Sequence, residues 1–155
     1  MKLGELAAVI GAQGRLSAAE RDREISSLVQ DSRKAGPGSL FVALRGSRVD
    51  GHRFVVQAVQ QGAGAVVVEE GAVAAVPGDA AVIVVQDTRK ALAALAIKFH
   101  DHPSRRLKLI GITGTKGKTT TSYLVKSIIE AAGFTTGLIG TIEYRIGDRV
   151  LPAPN

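Results

Sequence analysis

The 155 residues carry a formal net charge of +6 with 45% apolar residues, only 4% aromatics and no cysteine. The lack of cysteine excludes disulfides and thiolate metal sites. No run approaches the ~18 apolar residues of a membrane-spanning helix, and Met1-Lys2-Leu3-Gly4-Glu5-Leu6 lacks the apolar region of a secretory signal, so a cytoplasmic protein with no membrane partner is expected. The basic balance invites a nucleic-acid reading, but the charges are scattered, without a basic tail or interleaved aromatics. Polyanionic small molecules draw on the same charge, so no nucleic-acid partner is expected.

Leu3 to Ile10 has the pattern of a short helix. Ile25 to Val29 reads as a strand running into Gln30-Asp31-Ser32-Arg33, and Ala35-Gly36-Pro37-Gly38 turns the chain into a second strand, Leu40 to Leu44. In Asp50-Gly51-His52 the histidine reads as a turn residue rather than a ligand. Phe54 to Gln61 follows as a helix with Val55, Ala58 and Val59 on one face, stopped by Gly62-Ala63-Gly64. Two further strands are Ala65 to Val68 and Ala81 to Val85. Asp87 or Thr88 then caps a helix whose Leu92, Leu95, Ala96 and Phe99 make an apolar stripe. This alternation predicts an α/β layer architecture for a first domain, residues 1–103. His100-Asp101-His102 is better explained as a helix end before Pro103 than as a metal site, and 104–107 reads as a linker.

A second segment, 108–155, opens on Leu107 to Ile112, which reads as a short buried strand. Next comes the most informative run, Gly111-Ile112-Thr113-Gly114-Thr115-Lys116-Gly117-Lys118-Thr119-Thr120-Thr121. Leu124, Val125, Ile128, Ile129 and Ala132 then recur at helical spacing up to a stop at Gly133. Glycines let backbone N–H groups turn inward around an anion, and the helix start adds its dipole and its unpaired N–H groups. Lys118 supplies a mobile cation for the β- and γ-phosphates, and the Thr119 hydroxyl can hold Mg²⁺. The strict P-loop pattern fails because Ile112 stands where it wants glycine. A glycine turn that merely caps a helix is the simpler alternative, but the flanking strand and amphipathic helix favour a nucleoside triphosphate site at Gly114, Thr115, Lys116, Gly117, Lys118, Thr119 and Thr120. Lys116 either adds a second cation or points to solvent. A strand over Thr135 to Ile139 and an extended stretch from Ile142 to Val150 complete the pattern. A nucleotide-binding sheet normally has more parallel strands than these, so the segment reads as the start of a larger domain.

Three runs together resemble the Mur ligase family: Asp31-Ser32-Arg33 followed by Pro37-Gly38-Ser39-Leu40-Phe41-Val42-Ala43-Leu44-Arg45-Gly46; Asp50-Gly51-His52-Arg53-Phe54 through Gly62-Ala63; and the Gly-Thr-x-Gly-Lys-Thr loop. Thr136 to Gly147, and Leu151 to Asn155 as the approach to an Asn-Thr-Thr motif, look like the branch that adds a diamino acid (the tripeptide synthetases). The runner-up is the branch that adds D-Ala-D-Ala.

The resemblance implies a small N-terminal α/β domain binding the UDP end of UDP-MurNAc-L-Ala-D-Glu, followed by the truncated start of a P-loop ATP-binding central domain. Gln30, Ser32, Ser47, Arg48, Val49 and Asn155 match the family's precursor-binding positions, although Gln30 departs from the apolar residue often found there. Read without the family, Ser32 and Arg33 brace a turn as readily as they bind a ligand. ATP and Mg²⁺ are the implied cofactors, with UDP-MurNAc-dipeptide, a diamino acid (L-lysine or meso-diaminopimelate) and ATP as substrates of a monomeric enzyme of peptidoglycan precursor synthesis. Lys118 is the one catalytic position implied within these residues. The family's second metal-binding acid, carbamylated lysine and central histidine are expected after Asn155, so residues 1–155 alone are not expected to ligate. A rival of another class is a non-catalytic P-loop nucleotide-binding module.

Overall fold

The computed structural model describes residues 1–12, 15–46, 49–72 and 76–153. They form two compact units, Met1–Leu107 and Lys108–Asn155.

The first unit runs α1 (Leu3–Val9), α2 (Ala18–Asp22), β1 (Ser27–Val29), β2 (Ser39–Val42), α3 (Val55–Gln60), β3 (Ala65–Glu69), β4 (Ala81–Val85) and α4 (Thr88–Phe99). Its sheet has the order β1-β2-β3-β4 with every neighbouring pair parallel, in a register that sets Leu40 beside Ala65 and Val67 beside Ile83. A parallel sheet must be covered on both faces, because its crossovers leave neither face to water. Side chains alternate along each strand. Leu40, Val42, Ala65, Val67, Ala81 and Ile83 therefore meet Leu3, Leu6 and Ala7 of α1 and Ala91 and Leu95 of α4 on one side. Phe41, Val66 and Val68 meet Val55 and Ala58 of α3 on the other. This double burial explains why the middle strands are unbroken apolar runs in the sequence.

Asp87 caps α4 by accepting the N–H groups of Arg89 and Lys90 at 2.9 and 3.0 Å, which decides between the two caps expected there. Helix α2 escapes the apolar pattern because it buries nothing, yet Ser17 and Glu20 form a capping box that the Ser-x-x-Glu spacing spells out. The first strand is shorter than the sequence suggests. Ile25 lies outside it, buried, with its N–H bonded to the Met1 carbonyl at 2.8 Å.

The second unit contains α5 (Lys118–Ala131) and the antiparallel sheet β5 (Gly137–Ile139), β6 (Glu143–Ile146), β7 (Arg149–Pro152). Helix α5 ends in a Schellman turn, with Gly133 at φ 86 and the Phe134 N–H reaching the Ile129 carbonyl at 3.2 Å. Glu143 on β6 accepts from the Tyr123 hydroxyl and from Arg145, tying α5 to the sheet. The expected buried strand over Leu107 to Ile112 is absent: no strand forms there, and Leu107, Leu109 and Ile110 are exposed. An apolar run becomes a strand only when a neighbour accepts its backbone groups. In this unit the described strands pair with one another instead.

Candidate functional site

Because all four strands of the first unit are parallel, the loops after β1, β2, β3 and β4 gather on one carboxyl edge, the usual ligand side of such sheets. Gln30 and Ser32 leave β1 there, and Val49 lies in the loop leaving its neighbour β2. Asp31 turns the chain. Its carboxylate accepts the Arg33 N–H at 3.1 Å and the Arg33 guanidinium at 2.9 and 2.8 Å, which winds Ser32–Lys34 into a 3-10 turn. The turn drops Ser32 inward to 7% exposure, where its hydroxyl donates to Oε1 of Gln57 on α3 at 3.0 Å. Gln30 and Val49 are exposed. Ser47, Arg48 and Asn155 lie outside the described residues. Sequence reasoning missed Gln57, since a lone glutamine on a helix carries no motif. Only the packing of α3 beside the β1 turn makes it Ser32's partner.

The Arg33 side chain, helped by the Arg33 N–H, holds the Asp31 carboxyl at about 2, below its unfolded value of ~3.9. The contribution of this pair to folding is fully present above the unfolded value and is lost as pH falls through about 2. An NMR titration of the Asp31 carboxyl is expected to find that low midpoint, and Arg33→Ala to raise it into the ordinary carboxylate range. An ordinary midpoint in both proteins would dismiss the pair.

His52 is more than a turn residue. Its buried ring joins the β2 loop to β3: Nδ1 donates to Asp50 Oδ1 at 2.6 Å and Nε2 accepts the Glu69 N–H at 2.9 Å. The Asp50 carboxyl is held below the usual range by the His52 backbone N–H and by the ring.

In the second unit, residues 114–120 are all exposed and lead into α5. Gly114 and Gly117 hold φ of 153° and 78°, values that a side chain would strain. Ser17 and Asp87 cap α2 and α4, whereas α5 starts from the left-handed Gly117 with no side-chain cap. Thr121 is bonded back to the Gly117 carbonyl at 2.9 Å, so the N–H groups of Lys118, Thr119 and Thr120 have no partner from the preceding turn and carry the positive end of the helix dipole. The Lys118 ammonium donates to the Gly114 carbonyl across the loop. Such a turn attracts a multiply charged oxyanion through N–H groups, dipole and ammonium together. Thr119 and Thr120 add exposed hydroxyls beside it. Among the described residues no cluster of three or more His, Asp or Glu side chains could hold a metal ion, and no helix is long and apolar enough to cross a membrane.

Residues 24–100 match the family model described as Mur ligase family, catalytic domain, and residues 112–155 match that of the Mur ligase middle domain. A UDP-N-acetylmuramoyl-L-alanyl-D-glutamate--2,6-diaminopimelate ligase of Listeria innocua is 46% identical over 100% of this chain and 30% of its own length. The ligase of the same name from Aquifex aeolicus is 48% identical over 83% of this chain and 26% of its own length. The chain thus spans between a quarter and a third of the length of these curated relatives. Among solved structures, one titled as the diaminopimelate ligase covers 98% of this chain and 30% of its own, with TM-score 0.69 and 25% identity. A MurF ligase from Thermotoga maritima in complex with ADP covers 70% of this chain and 24% of its own, with TM-score 0.51 and 29% identity. With two models of one family matched in succession along most of its length, and the mixed α/β fold shared with solved members, this chain belongs to the Mur ligase family.

Proposed function

We propose that these residues form the precursor-binding and ATP-binding parts of an ATP-dependent ligase that joins a diamino acid to UDP-N-acetylmuramoyl-L-alanyl-D-glutamate in peptidoglycan precursor synthesis. The observation that carries the reading is 46% identity across the entire chain to a ligase whose name states that substrate and 2,6-diaminopimelate. In this reading residues 1–103 are the precursor domain, 104–107 a linker and 108–155 the start of the ATP domain. The enzyme works in the cytoplasm as a monomer.

Ser32 and its neighbour Gln30, with Val49 and, in sequence, Ser47 and Arg48, take the uridine diphosphate end of the precursor. Asn155 is a further precursor-binding position, in the sequence that approaches the Asn-Thr-Thr motif. A hydroxyl, turn amides and an arginine suit a diphosphate and a uracil edge. The open N–H groups after Gly117 and the Lys118 ammonium hold the ATP phosphates, with Gly114, Thr115, Lys116 and Thr120 lining the turn. Thr119 is the residue here that suits Mg²⁺, a hard cation that takes oxygen ligands and supplies charge neutralisation when bound. In the complete enzyme a D-Glu carboxylate oxygen bonds to the γ-phosphorus as the bond to ADP breaks. The amine of the diamino acid then forms the amide, loses a proton and releases phosphate. Lys118 steadies the negative charge as the phosphoryl group moves.

Structures titled as the D-alanyl-D-alanyl ligase also align, at 31% identity for one from Acinetobacter baumannii, so that branch is the second reading. The 46% and 48% identity to curated diaminopimelate ligases favours the first, although the solved diaminopimelate ligase is 25% identical. Calorimetric titration with UDP-N-acetylmuramoyl-L-alanyl-D-glutamate and, separately, with Mg-ATP tests the proposal. Both ligands are expected to bind, and Ser32→Ala to weaken the uridine ligand about tenfold, the worth of one hydrogen bond. ATP binding with no response to any uridine ligand would favour the non-catalytic module.

A further inference from the structure

We infer that His52, together with Asp50 and Glu69, is a positioning residue that sets how the β2 loop stands on the carboxyl edge of the sheet; its effect on ligand affinity rests on the precursor site proposed above. The loop's two stems are drawn close. Arg45 and Asp50 form an antiparallel bridge, the Gly51 N–H bonds to the Leu44 carbonyl at 2.8 Å, and the Gly46 N–H bonds to the Val49 carbonyl at 3.0 Å. A Cβ at Gly51 would stand 2.6 Å from the Leu44 oxygen, so the approach needs glycine there.

From these stems a chain of polar groups runs inward. Asp50 Oδ1 accepts both the His52 N–H at 3.0 Å and the ring Nδ1–H. The far side of the ring accepts the N–H of Glu69, the last residue of β3. The Glu69 carboxylate turns in two directions. One oxygen accepts the Thr88 hydroxyl at 3.2 Å, at the start of α4, and the other lies 3.5 Å from the Arg45 guanidinium. Arg89 closes the circuit by donating to the Arg45 carbonyl at 2.9 Å. The histidine side chain is 2% exposed, and no buried side-chain nitrogen or oxygen among the described residues lacks a partner.

Apolar packing at this spot would contribute as much stability as a buried polar chain, since desolvating the polar groups offsets most of what their bonds return. A fully satisfied polar chain adds direction: each bond has one geometry. Here the direction is imposed on the described stems of the loop, Arg45, Gly46, Val49 and Asp50. Loosening it costs affinity because the loop must then be ordered by the ligand itself.

The test is titration of the 155-residue chain with UDP-N-acetylmuramoyl-L-alanyl-D-glutamate, with thermal melting as the control for folding. His52→Ala is expected to bind this ligand about tenfold more weakly with Mg-ATP affinity unchanged. His52→Gln, which returns an acceptor to the Glu69 N–H, is expected to recover most of the loss, a rescue that general destabilisation does not produce. Equal affinity in wild type and a folded His52→Ala overturns the inference. If His52→Ala does not fold, Asp50→Ala, which removes the acceptor of the ring Nδ1–H, decides: weaker binding of the uridine ligand supports the positioning role, and unchanged binding overturns it. Failure of the wild type to bind any uridine ligand is instead the failure of the precursor site, and the inference falls with it.

Discussion

Amide hydrogen exchange is expected to separate the two units by several orders of magnitude. The amides of β2 and β3 should open only with the first unit as a whole, at about 5 kcal/mol or more for a domain of this size. Those of α5 and β5 to β7 should exchange within about a hundredfold of the unfolded rate. The reason lies in what each unit buries. Leu40, Val42, Val66, Val67 and Ile83 are sealed between helices on both faces of the parallel sheet. In the second unit, Leu138 is the only buried apolar residue among those described, while Leu124, Ile128, Phe134 and Ile139 are exposed. An isolated helix as short as α5 is marginal in water without an apolar face packed against something, and a three-stranded sheet with open edges adds little. Saturating Mg-ATP should slow exchange around Lys118 by mass action, because the ligand binds only the folded loop. Uniform protection across both units would sink this account of where the stability resides.

Lys118→Ala is expected to weaken Mg-ATP about 10- to 100-fold, the range for losing a charge-assisted contact, while leaving circular dichroism unchanged. The residue is exposed, and among the described residues its side chain's one hydrogen bond is to the Gly114 carbonyl, so folding asks little of that side chain. Nucleotide phosphates ask more: among the loop residues it is the lysine at the helix start, beside the open N–H groups. Lys116→Ala is the comparison. Its side chain makes no hydrogen bond among the described residues, and its removal is expected to change affinity less than threefold, as for an exposed charge. If the two variants exchanged roles, the phosphates would sit on the other side of the loop and the assignment of Lys118 would be wrong.

Much of this was legible in the sequence wherever the cause is local. The left-handed Gly117 before Lys118, the Asp87 cap, the stop at Gly133 and the apolar runs of β2 to β4 each follow from dihedral preference, capping chemistry or side-chain alternation over a few residues. The same local rules failed at Leu107 to Ile112, where pattern favours a strand but the described chain supplies no neighbour to pair with it.

By itself, then, the sequence determined the alternation of strands and helices, the glycine-lysine-threonine loop before α5 and the motifs that mark the family, because these rest on short-range geometry and on residue identity. Only the tertiary structure decided the parallel order β1-β2-β3-β4, the burial of Ser32 against Gln57 and the chain from Asp50 through His52 to Glu69 and Thr88. Apart from the local Asp50–His52 bond, those contacts join residues far apart in sequence, and their free energy appears only when the sheet has brought its carboxyl ends together.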